Sequence, residues 1–178
     1  MLKILDTYFF YLINKGFSNK LFDILMPLLS RLGRWESLFA VSLVFAVFQR
    51  KTAMKLVIIL LIGFFASNFI VSNLKMFVAR PRPFFVLQNI NLLEKNNSFS
   101  FPSGHATNAF MVATIFFIFS RRYFYLYIAA FGIAVARIYL GAHFPSDAIA
   151  GALIGSALGY LITQAAKAFS FRVHKHPL

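Results

Sequence analysis

The sequence has no cysteine, few acidic residues and little charge altogether. Of its 178 residues, 5 are Asp or Glu and 13% are charged, whereas a soluble domain usually has about 25% charged residues. Without cysteine the chain has no disulfide, thiolate metal site or cysteine nucleophile. It is rich in apolar residues instead: 60% are hydrophobic, 24 residues are Phe, and the mean hydropathy is +0.73. We therefore predict a single domain, residues 1–178, that lies in lipid.

Most of the charged residues are basic, and this excess of positive charge has two interpretations. Lys and Arg number 18, which gives a formal net charge of +13. Most of this excess fits cytoplasmic anchors that attract anionic lipid headgroups. In the second interpretation, a few of the cations bind an anionic substrate. Nucleic-acid binding is disfavoured, because the basic residues flank long apolar runs rather than lining one polar face. We expect the bilayer and a lipid as partners, with no nucleic acid and no obligate protein partner.

Hydropathy and segment length predict an all-α integral membrane helical bundle with five or six transmembrane helices. The five predicted spans are residues 35–48, 55–78, 105–120, 123–140 and 148–166. Residues 1–34 are predicted as two amphipathic helices near the interface, and the alternative is a single bent span. In this division residues 35–169 form the transmembrane core and residues 170–178 a basic cytoplasmic tail.

Basic residues in short connections predict the orientation of the bundle. Three groups fall on one side of five alternating spans: Arg50, Lys51 and Lys55; Arg121 and Arg122; and Lys167, Arg172 and Lys175. The positive-inside rule makes that side the cytoplasm. The loop 80–101 and the turn 141–146 then lie on the other side. We therefore expect a multi-pass protein of the cell (inner) membrane whose site faces the periplasm or the outside.

Three cations follow the longest predicted span. Lys75, Arg80 and Arg82 lie in a stretch that Pro81 and Pro83 stiffen. Cations at a helix end often only extend to the interface. However, arginine has a planar fork that matches phosphate oxygens, and lysine supplies a point charge. This cluster favours an anion-binding site.

A Ser-Gly-His sequence opens the next span. In the simpler interpretation Ser103 is a helix N-cap and His105 is an interfacial residue. The same sequence also suits an anion, because backbone N–H groups and the positive helix end face outward and Gly104 allows close approach. His105 adds a group that titrates near neutral pH.

The third cluster combines a cation, an imidazole and a carboxylate. Arg137 lies in an apolar stretch, where an ionisable residue is costly and marks a functional candidate. Asp147 could merely complement a helix dipole and His143 could be an exposed loop residue. However, Asp147 is the only acid after Glu94. A carboxylate four residues after a histidine can hold one ring nitrogen as N–H and leave the other free to attack.

Taken together, the three clusters supply complementary parts for phosphoryl transfer. The cations and helix-end N–H groups would bind a phosphoryl group. His143 would be the nucleophile, positioned by Asp147, and His105 the general acid. The sequence shows no Asp, Glu and His cluster of metal-ligand density, so we expect no metal and no other cofactor.

The spacing of these residues resembles the three signature motifs of the type 2 phosphatidic acid phosphatase family. The matching segments are Lys75 with Arg82-Pro83, then Pro102 to His105, then Arg137 with His143 and Asp147. The third motif usually begins Ser-Arg, and here it reads Ala136-Arg137. The resemblance implies an all-helical membrane fold, a phosphohistidine intermediate, no metal requirement and lipid phosphate substrates. It implies phosphate contacts from Lys75, Arg82, Ser103, Gly104 and Arg137, and catalytic roles for His105, His143 and Asp147.

The identity of the lipid substrate is a more specific expectation. Within the family, the short chain and basic balance resemble bacterial lipid A 1-phosphatases, so lipid A 1-phosphate ranks first. Phosphatidylglycerol phosphate and undecaprenyl pyrophosphate are the alternatives. Two other classes explain part of the pattern: an anion transporter with the cations as a filter, and a protein that only binds anionic headgroups. Neither gives His143 and Asp147 a joint task.

Overall fold

The computed structural model describes residues 2–48 and 52–175, and every regular element within these ranges is helical. The longer helices are α1 (Leu2–Tyr11), α2 (Lys20–Leu32), α3 (Trp35–Val47), α4 (Ala53–Val78), α6 (Gly104–Phe119), α7 (Leu126–Tyr139) and α8 (Pro145–Lys175). Shorter elements are a π-helical turn (Leu12–Gly16), α5 (Pro83–Val86) and a 3₁₀ helix (Arg121–Tyr125). The all-helical prediction is confirmed.

Each of the five predicted spans corresponds to one helix, α3, α4, α6, α7 or α8. Among the described residues, two segments are long and apolar enough to cross a membrane: Ala53–Val86 and Pro145–Ala168. Helix α6 and the segment Trp35–Val44 are apolar but shorter. The number of spans, five or six, stays a prediction. Two residues of the predicted basic connections, Arg50 and Lys51, and residues 176–178 of the predicted tail lie outside the described residues.

Helices α6 and α8 form the centre of the bundle, and three glycines allow them to pack closely. Gly151, Gly155 and Gly159 recur every fourth residue and present one face of α8 to α6. A Cβ atom added at Gly155 would lie 2.1 Å from the backbone oxygen of Thr107. Small residues at this spacing let helix backbones approach in membrane proteins. The close crossing fixes where the first turn of α6 lies relative to the first turn of α8.

The first 34 residues form two helices, α1 and α2, rather than one bent helix. Each has an exposed apolar face, which includes Ile4 and Tyr8 in α1 and Leu21 and Ile24 in α2. The opposite face of α1 buries Phe10 against α6, α7 and the first residues of α8. Helices with this division of faces suit the membrane interface. Their position in a bilayer stays a prediction.

Helix direction brings the three sequence clusters together. Helices α4 and α7 end, and α6 and α8 begin, at the same end of the bundle, so the 3₁₀ helix and the α3–α4 connection lie at the other. The backbone N–H of Ser103 donates to the oxygen of Asp147 at 3.0 Å, and that of Ser100 donates to the oxygen of Arg80 at 2.8 Å. Loop 80–101 is therefore tied to the helix ends.

Candidate active site

The side chains of His143 and Asp147 are the most enclosed pair at this end of the bundle. Helix α7 ends at Tyr139 and α8 begins with Pro145, so His143 lies in the tight connection between them. His143 is 2% exposed and Asp147 is fully buried. The Nδ1 atom of His143 lies 3.7 Å from Oδ2 of Asp147, and its Nε2 atom lies 3.5 Å from an Nη atom of Arg82. The ring therefore presents Nδ1 to a carboxylate and Nε2 to a cation.

The contact between His143 and Asp147 is longer than a hydrogen bond. Oδ2 of Asp147 instead accepts from the hydroxyl of Ser100 at 2.5 Å and from the N–H of Phe144 at 2.9 Å. Nδ1 of His143 is buried without a hydrogen-bond partner. Catalytic hydrogen bonds are often long without substrate and shorten in the reacting complex. The pair has the orientation required for a carboxylate to hold Nδ1–H while Nε2 reacts.

Burial controls the charge of the candidate nucleophile. Desolvation lowers the pKa of His143 to about 3, and the cations Arg137 and Arg82 also lower it, whereas Asp147 raises it. The imidazole is therefore neutral at physiological pH, which leaves a ring nitrogen with a free electron pair. A neutral ring is the form that a nucleophilic histidine needs.

Two of the predicted phosphate ligands are held by loop 80–101. Arg82 is 2% exposed and donates to the backbone oxygens of Ser98 and Ala142 at 2.6 and 2.9 Å. Lys75, in the last turn of α4, donates to the backbone oxygen of Phe99. These neutral acceptors fix the two side chains and leave their charges uncompensated. An anion would find the cations already oriented, which reduces the cost of binding it.

Arg137 and Ser103 each supply a donor that has no partner among the residues that the structure describes. Arg137 is 1% exposed, and its Nη1 atom donates to Ser30 at 2.7 Å and to Glu94 at 2.6 Å. Its Nε atom and the hydroxyl of Ser103 are both buried and unpartnered. Ser103 is at the N-cap position of α6, but its hydroxyl makes no capping bond. Buried polar groups are normally satisfied, so these two donors point to an anionic ligand.

His105 lies one residue after Gly104 in the first turn of α6, beside a cavity of about 450 Å³. Its ring lies within electrostatic range of His143, Arg82 and Arg137. Gly33, between α2 and α3, packs against the same ring: a Cβ atom there would lie 3.1 Å from Cδ2 of His105. His105 therefore stands between the cationic group and an open cavity.

The structure brings all eight predicted site residues to one end of the bundle. The set is Lys75, Arg82, Ser103, Gly104, His105, Arg137, His143 and Asp147. Their individual roles stay proposals. Within residues 2–48 and 52–175, no three His, Asp or Glu side chains form a group that could hold a metal ion.

Arg80 has a different environment from the one that its sequence position suggests. Its guanidinium bonds Asp147 at 2.6 Å, Asp6 of α1 at 2.5 Å and the hydroxyl of Ser146 at 2.7 Å. Its plane lies over the Phe144 ring, 4.1 Å from the centroid. Asp6 also accepts from the N–H of Ser146 at 2.8 Å. Arg80 thus neutralises the carboxylate of Asp147 behind His143 rather than joining the candidate phosphate-binding residues.

Sequence reasoning missed Asp6, Ser30, Ser100 and Glu94 as neighbours of the site. For Asp6 and Glu94 a signal existed, because acids are scarce in this chain and each one therefore calls for a partner. The two serines gave no comparable signal. Their contacts with Arg137 and Asp147 span 107 and 47 residues of sequence.

Comparisons with known proteins identify the family of the chain. Residues 55–170 match the profile of the PAP2 superfamily. The chain is 32% identical over 165 residues to an undecaprenyl-diphosphatase from Sulfolobus acidocaldarius, a match that covers 85% of this chain and 79% of that protein.

Two solved structures resemble this one over nearly the whole chain. LpxE from Aquifex aeolicus gives a TM-score of 0.79 at 34% identity, covering 90% of this chain and 95% of the other. A transmembrane PAP2 type phosphatidylglycerolphosphate phosphatase from Bacillus subtilis gives 0.75 at 25% identity, covering 97% and 87%.

Proposed function

The chain belongs to the PAP2 superfamily, and we propose that it is a membrane phosphatase that removes the terminal phosphate of a lipid through a phosphohistidine intermediate. The observation that carries the proposal is the orientation of His143. One ring nitrogen faces Asp147 and the other faces Arg82, beside two buried donors without a partner among the described residues, Nε of Arg137 and the hydroxyl of Ser103. Such an arrangement is complementary to a phosphoryl group with a nucleophile on one side.

The reaction divides into two steps. In the first, Nε2 of His143 forms a bond to phosphorus, the bond from phosphorus to the lipid oxygen breaks, and His105 gives that oxygen a proton. In the second, His105 takes a proton from water, the water oxygen bonds phosphorus, and the bond to His143 breaks. Inorganic phosphate is released. Arg82, Arg137 and Lys75 stabilise the charge on the phosphoryl oxygens in both steps.

An anion transporter explains less of the geometry. A filter of cations accounts for Lys75, Arg82 and Arg137. It gives no task to a buried imidazole oriented by a carboxylate, or to the Arg80 bridge that holds that carboxylate in place. The pairing of His143 with Asp147 is the feature that favours catalysis.

The orientation in the membrane is part of the proposal. The site lies at the end of the bundle where α6 and α8 begin, whereas Arg121, Arg122 and Lys167 lie towards the opposite end. The positive-inside rule makes the end with these basic residues cytoplasmic. We place the site on the periplasmic face of the inner membrane.

The test is phosphate release from lipid phosphates by purified enzyme and its His143→Ala variant. The wild type should release inorganic phosphate and should form an acid-labile phosphoprotein in rapid-quench experiments, and His143→Ala should do neither. The control variant is Arg121→Ala, at the far end of the bundle, and it should match the wild type. Full turnover by folded His143→Ala would rule out the mechanism.

Two inhibitors sharpen the same test. Vanadate should inhibit, because it adopts the five-coordinate geometry of the transferring phosphoryl group. EDTA should have little effect, and a loss of activity that Mg²⁺ restores would contradict the proposal. The lipid panel begins with lipid A 1-phosphate, which the sequence ranked first, and includes phosphatidylglycerol phosphate, undecaprenyl diphosphate and phosphatidic acid.

A further inference from the structure

The cavity beside His105 carries two cations that the phosphoryl-transfer steps do not use. Its lining includes His105, Glu94, Asn96, Arg31 and Arg34. The two arginines flank Gly33, whose backbone packs on the His105 ring. The charge of Arg34 also reaches that ring. The link between α2 and α3 therefore holds a pair of positive charges next to the candidate general acid.

The position of His105 determines which part of a substrate enters this cavity. The attacking nitrogen and the leaving oxygen lie on opposite sides of phosphorus in an in-line displacement. His143 supplies the nitrogen, and His105 protonates the leaving oxygen. The group that departs therefore lies on the His105 side, in the cavity that Arg31 and Arg34 line.

We propose that Arg31 and Arg34 bind a second phosphate, one that the leaving part of the substrate carries, so that the enzyme prefers lipids with a phosphate next to the one removed. This inference rests on the proposed phosphatase activity and narrows its substrate class. Suitable lipids are diphosphates and phosphomonoesters whose neighbouring group is a phosphodiester. A phosphomonoester on a neutral glycerolipid lacks the second charge.

The charges around the cavity are compatible with an anion there. Glu94, the acidic residue of the lining, bonds the guanidinium of Arg137 at 2.6 Å, so its charge is balanced by that of Arg137. Arg34 lies 3.5 Å from Glu36, but the side chains are 62% and 48% exposed. Exposed pairs of this kind are weak. A phosphate, with more charge and several acceptors, competes well with Glu36 for Arg34.

The simpler alternative is that Arg31 and Arg34 anchor α2 and α3 to anionic lipid headgroups. The two explanations differ in a measurable way. An anchor affects every substrate equally, because it acts on the protein. A phosphate subsite affects only substrates with the second phosphate.

The experiment compares phosphatidylglycerol phosphate with phosphatidic acid of identical acyl chains, in the same detergent micelles. Both lose a phosphate from a primary glycerol oxygen, and only the first has a phosphodiester in its leaving group. The variants are Arg31→Ala, Arg34→Ala and the double variant, with Arg31→Lys and Arg34→Lys to retain the charge and Arg121→Ala as the distant control.

We expect each arginine that is replaced by alanine to lower kcat/KM on phosphatidylglycerol phosphate about tenfold, so that the two losses multiply in the double variant. The change in kcat/KM on phosphatidic acid should be less than about threefold. The lysine variants should retain most of the activity. Equal losses on the two lipids, or none, would overturn the subsite while leaving the phosphatase proposal intact. If the wild type released phosphate from neither lipid nor from the rest of the panel, the phosphatase proposal itself would fail. The remaining turnover of phosphatidic acid shows that the variants are folded.

Discussion

Arg80 offers the sharpest test of how Asp147, the proposed catalytic carboxylate, is held. Its guanidinium bridges Asp147, which is fully buried, and Asp6, which is 8% exposed. Its hydrogen bonds go to Ser146, Asp147 and Asp6. We predict that Arg80→Met lowers kcat and leaves KM nearly unchanged, because Arg80 positions Asp147 and does not bind phosphate.

The contacts set the expected magnitudes. Removing one partner of a buried ion pair costs about 3–5 kcal/mol, and Arg80 itself is 24% exposed, so the lower end applies. A loss of about 3 kcal/mol corresponds to a fall in Tm of roughly 6–12 °C for a chain of this size. Replacing the triad aspartate of a serine protease lowers kcat by about 10⁴. Because Asp147 stays in place here, we expect a smaller loss, about 10- to 100-fold.

A double-mutant cycle with Asp6→Asn isolates the bridge. Once Arg80 is gone, the Asp6 carboxylate is a buried charge without its cation, so neutralising it should recover part of the lost stability. The coupling energy between the two sites should be about 1–3 kcal/mol. Arg80→Lys should keep part of the activity, since lysine retains the charge but not the fork.

The assay is steady-state kinetics and thermal unfolding of the purified variants in one detergent. The control is Arg121→Met, because Arg121 also stacks on an aromatic ring, Phe117, but lies at the other end of the bundle. A rise in KM with kcat unchanged would show that Arg80 binds phosphate. If the changes in stability of the two single variants simply add up in the double variant, Arg80 and Asp6 are not coupled. Either result refutes the reasoning.

Three further predictions address other parts of the site and the fold. Glu94→Gln removes the carboxylate that pairs with the buried Arg137. The guanidinium is then freer to bind an anion, so the inhibition constant for vanadate should fall about 2- to 5-fold. The pKa of His143 is lowered to about 3 when folded and is about 6.5 when unfolded. The unfolded chain therefore binds the extra proton between these values, and Tm should fall as pH drops below about 6.5, less steeply in His143→Asn. Gly155→Ala brings a Cβ atom to 2.1 Å from a backbone oxygen of α6 and should abolish folded expression, whereas Gly16→Ala, with 3.6 Å to its nearest neighbour, should express normally.

The helices could be predicted from the sequence because lipid imposes a simple rule. Backbone groups in the bilayer must be satisfied within the segment, so each long apolar run becomes a helix, and all five predicted spans are helical. The two histidines of the candidate site were also singled out from the sequence. His143 lies between Arg137 and Asp147 at short sequence spacing, and His105 follows Ser103 and Gly104 where a predicted span begins.

Contacts between elements far apart in sequence could not be predicted in this way. Arg80 and Asp6 are separated by 74 positions, and nothing in either local sequence identifies the other as its partner. The close crossing of α6 and α8 did have a local signal, the glycines at every fourth position of α8. The spacing indicates that a second helix packs closely, but it does not identify that helix.

The part of the chain outside the family profile is joined to the site. The profile covers residues 55–170, yet Asp6 bonds Arg80, and Asn14 bonds the backbone of Asn91 and Tyr139. Polar side chains of α1 and the turn after it thus hold the loop and helix ends that carry the proposed catalytic groups. The helix pair α2 and α3 adds the cations beside His105. A superfamily that shares one reaction can vary its substrates only through residues that touch the leaving group. In this protein the proposed leaving-group cavity is lined in part by Arg31 and Arg34 of the N-terminal segment, so exchanging residues 1–34 between relatives should change lipid preference.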